Sequence, residues 1–295
     1  MATPAQWIEG ARPRTLPAAF APVIVGTGAA IVLERHNMGY ALLALIVSVS
    51  LQIAVHYATD YSDGIRGTDT DRTGPARLTG GRLADPRNVR LMAFLFFFLA
   101  ALAGFALVAL TSSWLLLLLG ALAVIAAWRY TGGDNPYGYR GLGEVYVFVF
   151  FGLFATLGTL WVQAKEITLT GVLGAIGVGA AAAAILVANN LRDIPTDTEH
   201  GKRTLAVRLG DARTRLFYGA LIVVTVAAVI GISFEYPLAL LALLALGILV
   251  GPYRVIRSGG TGGSLIPVLA ATGIYELVYA VLLVAGMVLS GFVLG

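Results

Sequence analysis

The chain has 295 residues, of which 58% are hydrophobic and only 12% charged, and its mean hydropathy is +0.84. That balance excludes an ordinary soluble domain and defines an integral membrane protein. A net charge of +4 and a pI near 9.4 would suit a nucleic-acid binder, but no basic domain or aromatic RNA-binding motif is present. The lack of cysteine excludes disulfides, thiolate zinc sites and cysteine nucleophiles.

A helix needs about 20 apolar residues to cross a hydrocarbon core of roughly 30 Å. In chain order, nine segments meet this need, over residues 15–34, 40–60, 91–111, 113–130, 144–163, 168–191, 215–234, 236–253 and 265–293. The first follows a polar stretch with Glu9, Arg12 and Arg14 and has no convincing cleavage site after it, so it reads as a retained helix and not a signal peptide. With the N-terminus in the cytoplasm, 18 of the 20 Lys and Arg residues fall on the cytoplasmic side, and only Arg35 and Lys165 fall outside. Positive charge collects on cytoplasmic loops. The expectation is therefore a multi-pass protein of the cell inner (plasma) membrane, with its C-terminus outside. The long polar connections, residues 61–90 and 192–214, share the cytoplasmic face, whereas "TSS" at residues 111–113 makes a minimal outer turn.

The second segment ends in "HYATDYSDGIRGTDTDR", where His56, Asp60 and Asp63 stand at i, i+4 and i+7 and share one face of a continued helix. After the sixth segment, in "NNLRDIPTDTEHGKRTLAVRLGDARTR", Asn189, Asp193 and Asp197 recur every four residues. Pro195 is expected to bend or end that helix between the two aspartates. "TDTD" at residues 68–71 and "TDTE" at 196–199 form a faint internal echo.

Carboxylates at a membrane boundary are costly unless hydrated, paired or metal-bound, so two facing clusters imply a cation. Carboxylate and amide oxygens favour Mg2+, which binds through one or two carboxylates plus substrate phosphates. The missing ligands would then come from a diphosphate. Arg66, Arg72, Arg77, Lys202, Arg203 and Arg208 lie beside the clusters, with Asn189 among them, as candidate diphosphate-binding residues.

Other features have plainer readings. Asp85, Asp134 and Asp211 read as solvated charges or helix caps, and His36 and His200 as lone surface histidines. "GVLGAIGVGAAAA" at residues 171–183 reads as close helix packing. "GGTGG" at residues 259–263 lacks the following Lys-Ser or Lys-Thr of a phosphate loop. "DTDRTG" from Asp69 begins like a calcium loop but has Gly80 where a bidentate Glu is needed, so calcium is rejected. Glu144 and Glu276 lie near or within spans, where charge is expensive and often functional.

Four stretches carry a resemblance: "GARPRTLPAAFAPVIVGTGAA", "DYSDGIRGTDTDRTGPARL", "YTGGDNPYGYRGLGE" and "NNLRDIPTDTEHGKRTLAVRLGDARTR". Through them nearly the whole chain resembles the UbiA superfamily of intramembrane aromatic prenyltransferases, within it the MenA branch, and especially its actinobacterial members. The resemblance implies one domain over residues 1–295, an all-α polytopic membrane protein whose nine-helix bundle surrounds a cavity open to lipid. Cytoplasmic loops carrying the two aspartate motifs would cap it. It also implies transfer from a polyprenyl diphosphate to 1,4-dihydroxy-2-naphthoate, with loss of diphosphate and carbon dioxide, giving demethylmenaquinone. Mg2+ would be held by Asp60 and Asp63 on one side and by Asp193 and Asp197 on the other. Candidates for the acceptor's carboxylate are Arg12, Arg14 and Arg140, with Tyr130, Tyr137 and Tyr139 as ring or hydroxyl contacts.

The chain departs from the family at its first motif. Where "NxxND" is typical, it has His56 and Thr59, and imidazole offers nitrogen where asparagine offers an oxygen suited to Mg2+. Three alternatives stay open: another aromatic acceptor such as homogentisate or 4-hydroxybenzoate, a diphosphate-binding variant with impaired turnover, and a transporter or channel. A transporter should place its ionisable residues near the bilayer midplane and not at helix ends.

Overall fold

The computed structural model describes residues 2–68 and 77–294, and among these the chain is helical, with no strand. The helices are α1 (Pro4–Gly10), α2 (Pro17–Val32), α3 (Met38–Arg66), α4 (Pro86–Thr111), α5 (Leu115–Arg129), α6 (Gly143–Ala164), α7 (Leu169–Glu199), α8 (Leu205–Ser233), α9 (Pro237–Arg257) and α10 (Ile266–Leu294). Side chains in the connections start several of them. Asn37 accepts from the backbone N–H groups of Gly39 and Tyr40 ahead of α3, Asp85 from that of Arg87 ahead of α4, and Thr168 from that of Gly171 ahead of α7. Asp85 is thus a cap, while Asp211 is spent on an ion pair with Arg215 at 2.6 Å.

All nine expected segments fall on helices, but fewer are long enough to cross. Seven helices among the described residues are long and apolar enough to span a membrane, and an eighth is gained if Pro4–Thr15 and Pro17–Val32, bent by 49°, count as one. The counts part at α5, whose 15 residues reach only about 22 Å at 1.5 Å per residue. Large apolar side chains such as Leu91, Phe98, Leu115, Leu216 and Leu244 are exposed on the outer faces, as a lipid-facing surface requires.

The centre of the bundle is α7, which is 78% buried along its apolar span where the other spans reach 28–39%. Its glycines and alanines explain this, because small side chains let neighbouring backbones approach closely. It packs on α8, α10 and α6, while α3 pairs with α4 and α2 lies against α10. In the contact with α6, backbone meets backbone: a Cβ on Gly152 would stand 2.5 Å from the Cα of Gly179. In that stretch, Phe148–Phe154, α6 widens into π-helical turns, a form that is rare and concentrated at functional sites. The close-packing reading of the glycine-rich segment therefore holds.

Pro195 does not end α7, which runs through it to Glu199. Hydroxyls of Thr196 and Thr198 donate to the carbonyls of Asp193 and Ile194 around it, at 3.1 and 2.7 Å. Asn189, Asp193 and Asp197 therefore remain on one continuous helix, at the same end of the bundle as the C-terminal turn of α3.

Candidate active site

The last turns of α3 carry two aspartates with different surroundings. Asp60 is fully buried, and its Oδ2 and Oδ1 accept the backbone N–H groups of Leu78 and Thr79 at 2.9 and 2.8 Å. Both oxygens thus hold the returning loop on the helix. Gly64 makes room for it, since a Cβ there would meet Thr79 at 2.4 Å. One turn on, Asp63 faces the interior. Its Oδ1 accepts the Tyr139 hydroxyl at 3.0 Å, and its Oδ2 lies 3.4 Å from Lys202 Nζ. Lys202 also reaches Asp197 Oδ1 at 3.8 Å, so one ammonium stands between the two acidic motifs.

Two further groups, Thr68 and Arg66, brace this cluster. Thr68 Oγ1 donates to the Asp63 carbonyl at 3.1 Å and stands 3.1 Å from the Tyr139 hydroxyl oxygen. The charges of Lys202 and Arg66 sit over the Tyr139 ring, 5.1 and 5.3 Å from its centroid. Burial works to lower the Lys202 ammonium, but Asp63 and then Asp197 outweigh it and hold it above the ordinary lysine range. Burial, helped by Asp63, raises the Tyr139 phenol and keeps it a donor, and burial pushes Tyr130 up to about 12.

On α7, Asp193 is paired with its neighbour: Arg192 Nε and Nη2 reach its two oxygens at 2.7 and 2.8 Å, while Arg192 Nη2 also donates to Asn189 Oδ1 at 2.9 Å. Asn189 Nδ2 lies 3.4 Å from Asp193 Oδ2. Glu144, at the start of α6, accepts from Asn190 Nδ2 at 2.8 Å and so ties the end of the "YGYRGLG" loop to α7. Glu276 is buried on α10 with no hydrogen-bond partner among the described residues, and it lies off the cavity wall.

A cavity of about 980 Å³ opens beneath this head. Its polar end is lined by Arg12, Arg14, His56, Thr59, Asp63, Arg77, Asn189, Arg192 and Lys202, and its body by apolar side chains from α3 to α7. One wall is a run of aromatic rings from Tyr130 through Tyr137, Tyr146 and Phe150 to Phe154, with successive centroids 5.5, 3.8, 5.9 and 5.1 Å apart. His56 hydrogen-bonds Thr15 Oγ1 through Nε2 at 3.0 Å, which ties α3 to the turn before α2.

Several candidates from the sequence lie elsewhere. Arg66 donates both terminal nitrogens to the carbonyls of Thr131 and Gly133, holding that loop to the end of α3. Arg140 and Arg203 are exposed, and Arg208, also exposed, donates to the Arg203 carbonyl at 3.2 Å. Tyr139 lies behind Asp63 and off the cavity wall. Arg72, like Asp69 and Asp71, lies outside the described residues. Sequence reasoning named Tyr130 and Tyr137 but missed Arg192 and the continuation of the aromatic wall, although Tyr146, Phe150 and Phe154 repeat every four residues.

Among the described residues, no group of three or more His, Asp or Glu side chains forms a metal cluster. The donor set still suits a hard cation, because Asp63 and Asp197 direct carboxylate oxygens at one positive charge.

The all-helical bundle thus encloses an apolar cavity that ends in paired acids and bases, polar at one end and apolar along its body. Residues 19–262 match the UbiA prenyltransferase family, and the chain belongs to that family. It is 51% identical to the 1,4-dihydroxy-2-naphthoate octaprenyltransferase of Mycobacterium tuberculosis, over 99% of both chains. It is 41% identical to the Escherichia coli protein of the same name, over 73% of this chain and 72% of that one. Among solved structures, the fold is shared with a UbiA homolog from Aeropyrum pernix K1, with a TM-score of 0.68 and 18% identity over 92% of this chain and 97% of that one. It is also shared with a UbiA homolog from Archaeoglobus fulgidus bound to GPP and Mg2+, with a TM-score of 0.67 and 16% identity over 94% and 99%.

The two α3 aspartates should separate on substitution. Asp60→Asn leaves a backbone N–H facing an amide NH2 and is expected to cost about 1–3 kcal/mol, read as a lower melting temperature in detergent. Asp63→Asn should melt closer to the parent protein but lose roughly 100-fold or more in turnover. Equal melting losses, or undiminished turnover without Asp63, would contradict this division.

Proposed function

We propose that the protein transfers a polyprenyl group from a polyprenyl diphosphate to 1,4-dihydroxy-2-naphthoate, releasing diphosphate and carbon dioxide and building the demethylmenaquinone skeleton of menaquinone biosynthesis. The observation that carries this reading is the Asp63–Lys202–Asp197 head closing an apolar cavity, in a chain 51% identical to a naphthoate prenyltransferase along its length.

Asp63 and Asp197 are the residues that would hold Mg2+, with Asp193 beside them and Asp60 fixing the loop behind. Bound there, Mg2+ would act as a Lewis acid that neutralises charge on the departing diphosphate. Arg77, Asn189, Arg192 and Lys202 line the head and supply donors for phosphate oxygens. The apolar body takes the isoprenoid tail and keeps water from the allylic cation, which a solvated cleft would quench. Arg12 and Arg14 on the cavity wall match the acceptor's carboxylate in charge, and the faces of Tyr130, Tyr137 and Tyr146 suit its ring. The ring carbon bearing the carboxylate bonds to the allylic carbon as the carbon–oxygen bond to diphosphate breaks. Carbon dioxide then leaves, and its bonding pair restores the aromatic ring.

In the membrane, we read residues 1–295 as one domain with nine crossings, α5 being a short one. The N-terminus and the loops of the head face the cytoplasm and the C-terminus faces outward. The distribution of Lys and Arg supports this, with 18 of 20 on one side.

Purified protein given Mg2+, a polyprenyl diphosphate and 1,4-dihydroxy-2-naphthoate should release diphosphate and carbon dioxide in equal amounts, and chelation should stop both. Faster reaction with homogentisate or 4-hydroxybenzoate would overturn the acceptor assignment, and turnover undiminished by EDTA the metal. For orientation, the chain offers a cysteine-free background. Asp134 and Glu166 are both exposed. In intact spheroplasts, a membrane-impermeant maleimide should label Glu166→Cys and spare Asp134→Cys; the reverse pattern would invert the topology.

A further inference from the structure

We propose that Lys202 is a built-in counter-cation, which holds the two acidic motifs together while no divalent metal is bound and gives up its place when one arrives. This rests on the reading of Asp63 and Asp197 as metal ligands and concerns what the chain does before the metal binds. Lys202 Nζ stands 3.4 Å from Asp63 Oδ2 on α3 and 3.8 Å from Asp197 Oδ1 on α7. The two carboxylates come from different helices, and their side chains are only 2% and 11% exposed, so solvent screens them weakly. Without a cation between them, their repulsion would push the ends of α3 and α7 apart. A third group fixes the ammonium: it lies 5.1 Å from the centroid of Tyr139, whose hydroxyl holds the other oxygen of Asp63.

The lysine is also built to leave. Its backbone is anchored, since its N–H donates to the Asp197 carbonyl at 2.7 Å, and it follows Gly201, whose φ of 69° turns the chain away from α7. Its charge is a point on a flexible four-carbon stem, unlike the planar fork by which Arg192 grips Asp193. Lys202 lines the cavity, so a rotation of the stem carries the ammonium from the carboxylates toward a phosphate, with no change in the backbone. The chain has just two lysines, and the other, Lys165, donates to Thr111 and Ser113.

The test uses Mn2+ as the probe on substrate-free protein in detergent. Lys202→Met keeps the stem and removes the charge, so the metal no longer competes with it. Mn2+ binding should tighten by about tenfold, and the metal-free protein should melt lower and recover when Mn2+ is added. Asp63→Asn should weaken Mn2+ binding. If Asp63→Asn weakens binding while Lys202→Met leaves it unchanged or weaker, the counter-cation is overturned and the metal assignment stands. If neither substitution changes binding, both are overturned. Should Lys202→Met fail to fold, the unaltered protein is treated with an amine-acylating reagent and its two lysines are compared by peptide mass. Saturating Mg2+ is expected to raise labelling of Lys202 several-fold and leave Lys165 unchanged, and a Lys202 rate indifferent to Mg2+ would refute the proposal.

Discussion

Carboxylates from two helices repel one another at the end of a membrane bundle unless a positive charge or water stands between them, and here Lys202 supplies the charge to Asp63 and Asp197. Around this pair the rest of the head is organised. Tyr139 and Thr68 hold Asp63, Arg66 ties the residue-131–133 loop to α3, and Arg192 neutralises Asp193. The result is an oxygen-rich, positively rimmed head whose carboxylates are paired, and it is there that we propose metal and diphosphate bind.

The bundle below serves that head. Because α7 is built of glycine and alanine, its neighbours close tightly on it, and the open volume lies between α3, α4, α5, α6 and one face of α7. There the π-helical turns of Phe148–Phe154 bring phenylalanine rings to the cavity, continuing the aromatic wall begun by Tyr130 and Tyr137. A charged head at the polar end and a long apolar body follow the shape of a prenyl diphosphate lying with its tail in the membrane.

Much of this was legible in the sequence, because its strongest signals were local. Apolar length located nine of the ten helices, all but the short α1, and the i, i+4 spacing of Asn189, Asp193 and Asp197 survived Pro195. Other features depended on contacts made far along the chain. Asp60 and Asp63 look equivalent in "DYSD", yet the loop at Leu78 and Thr79 folds back onto one of them and leaves the other free to face the cavity. Arg66 reads as a phosphate ligand until carbonyls 65 and 67 residues away claim it. His56 reads as a departure beside the acidic motif, and its partner proves to be Thr15, 41 residues earlier. The four-residue repeat of Tyr146, Phe150 and Phe154 was visible but looked like any apolar helix.

In the proposed function, Asp63 and Asp197 form one cation site with the diphosphate. Electron–nuclear double resonance of Mn2+-loaded protein with an unreactive prenyl diphosphate analogue tests it most directly. Phosphorus couplings to bound Mn2+ are expected in the parent protein and should be lost when both aspartates are replaced by Asn. Couplings that persist in the double variant would contradict it.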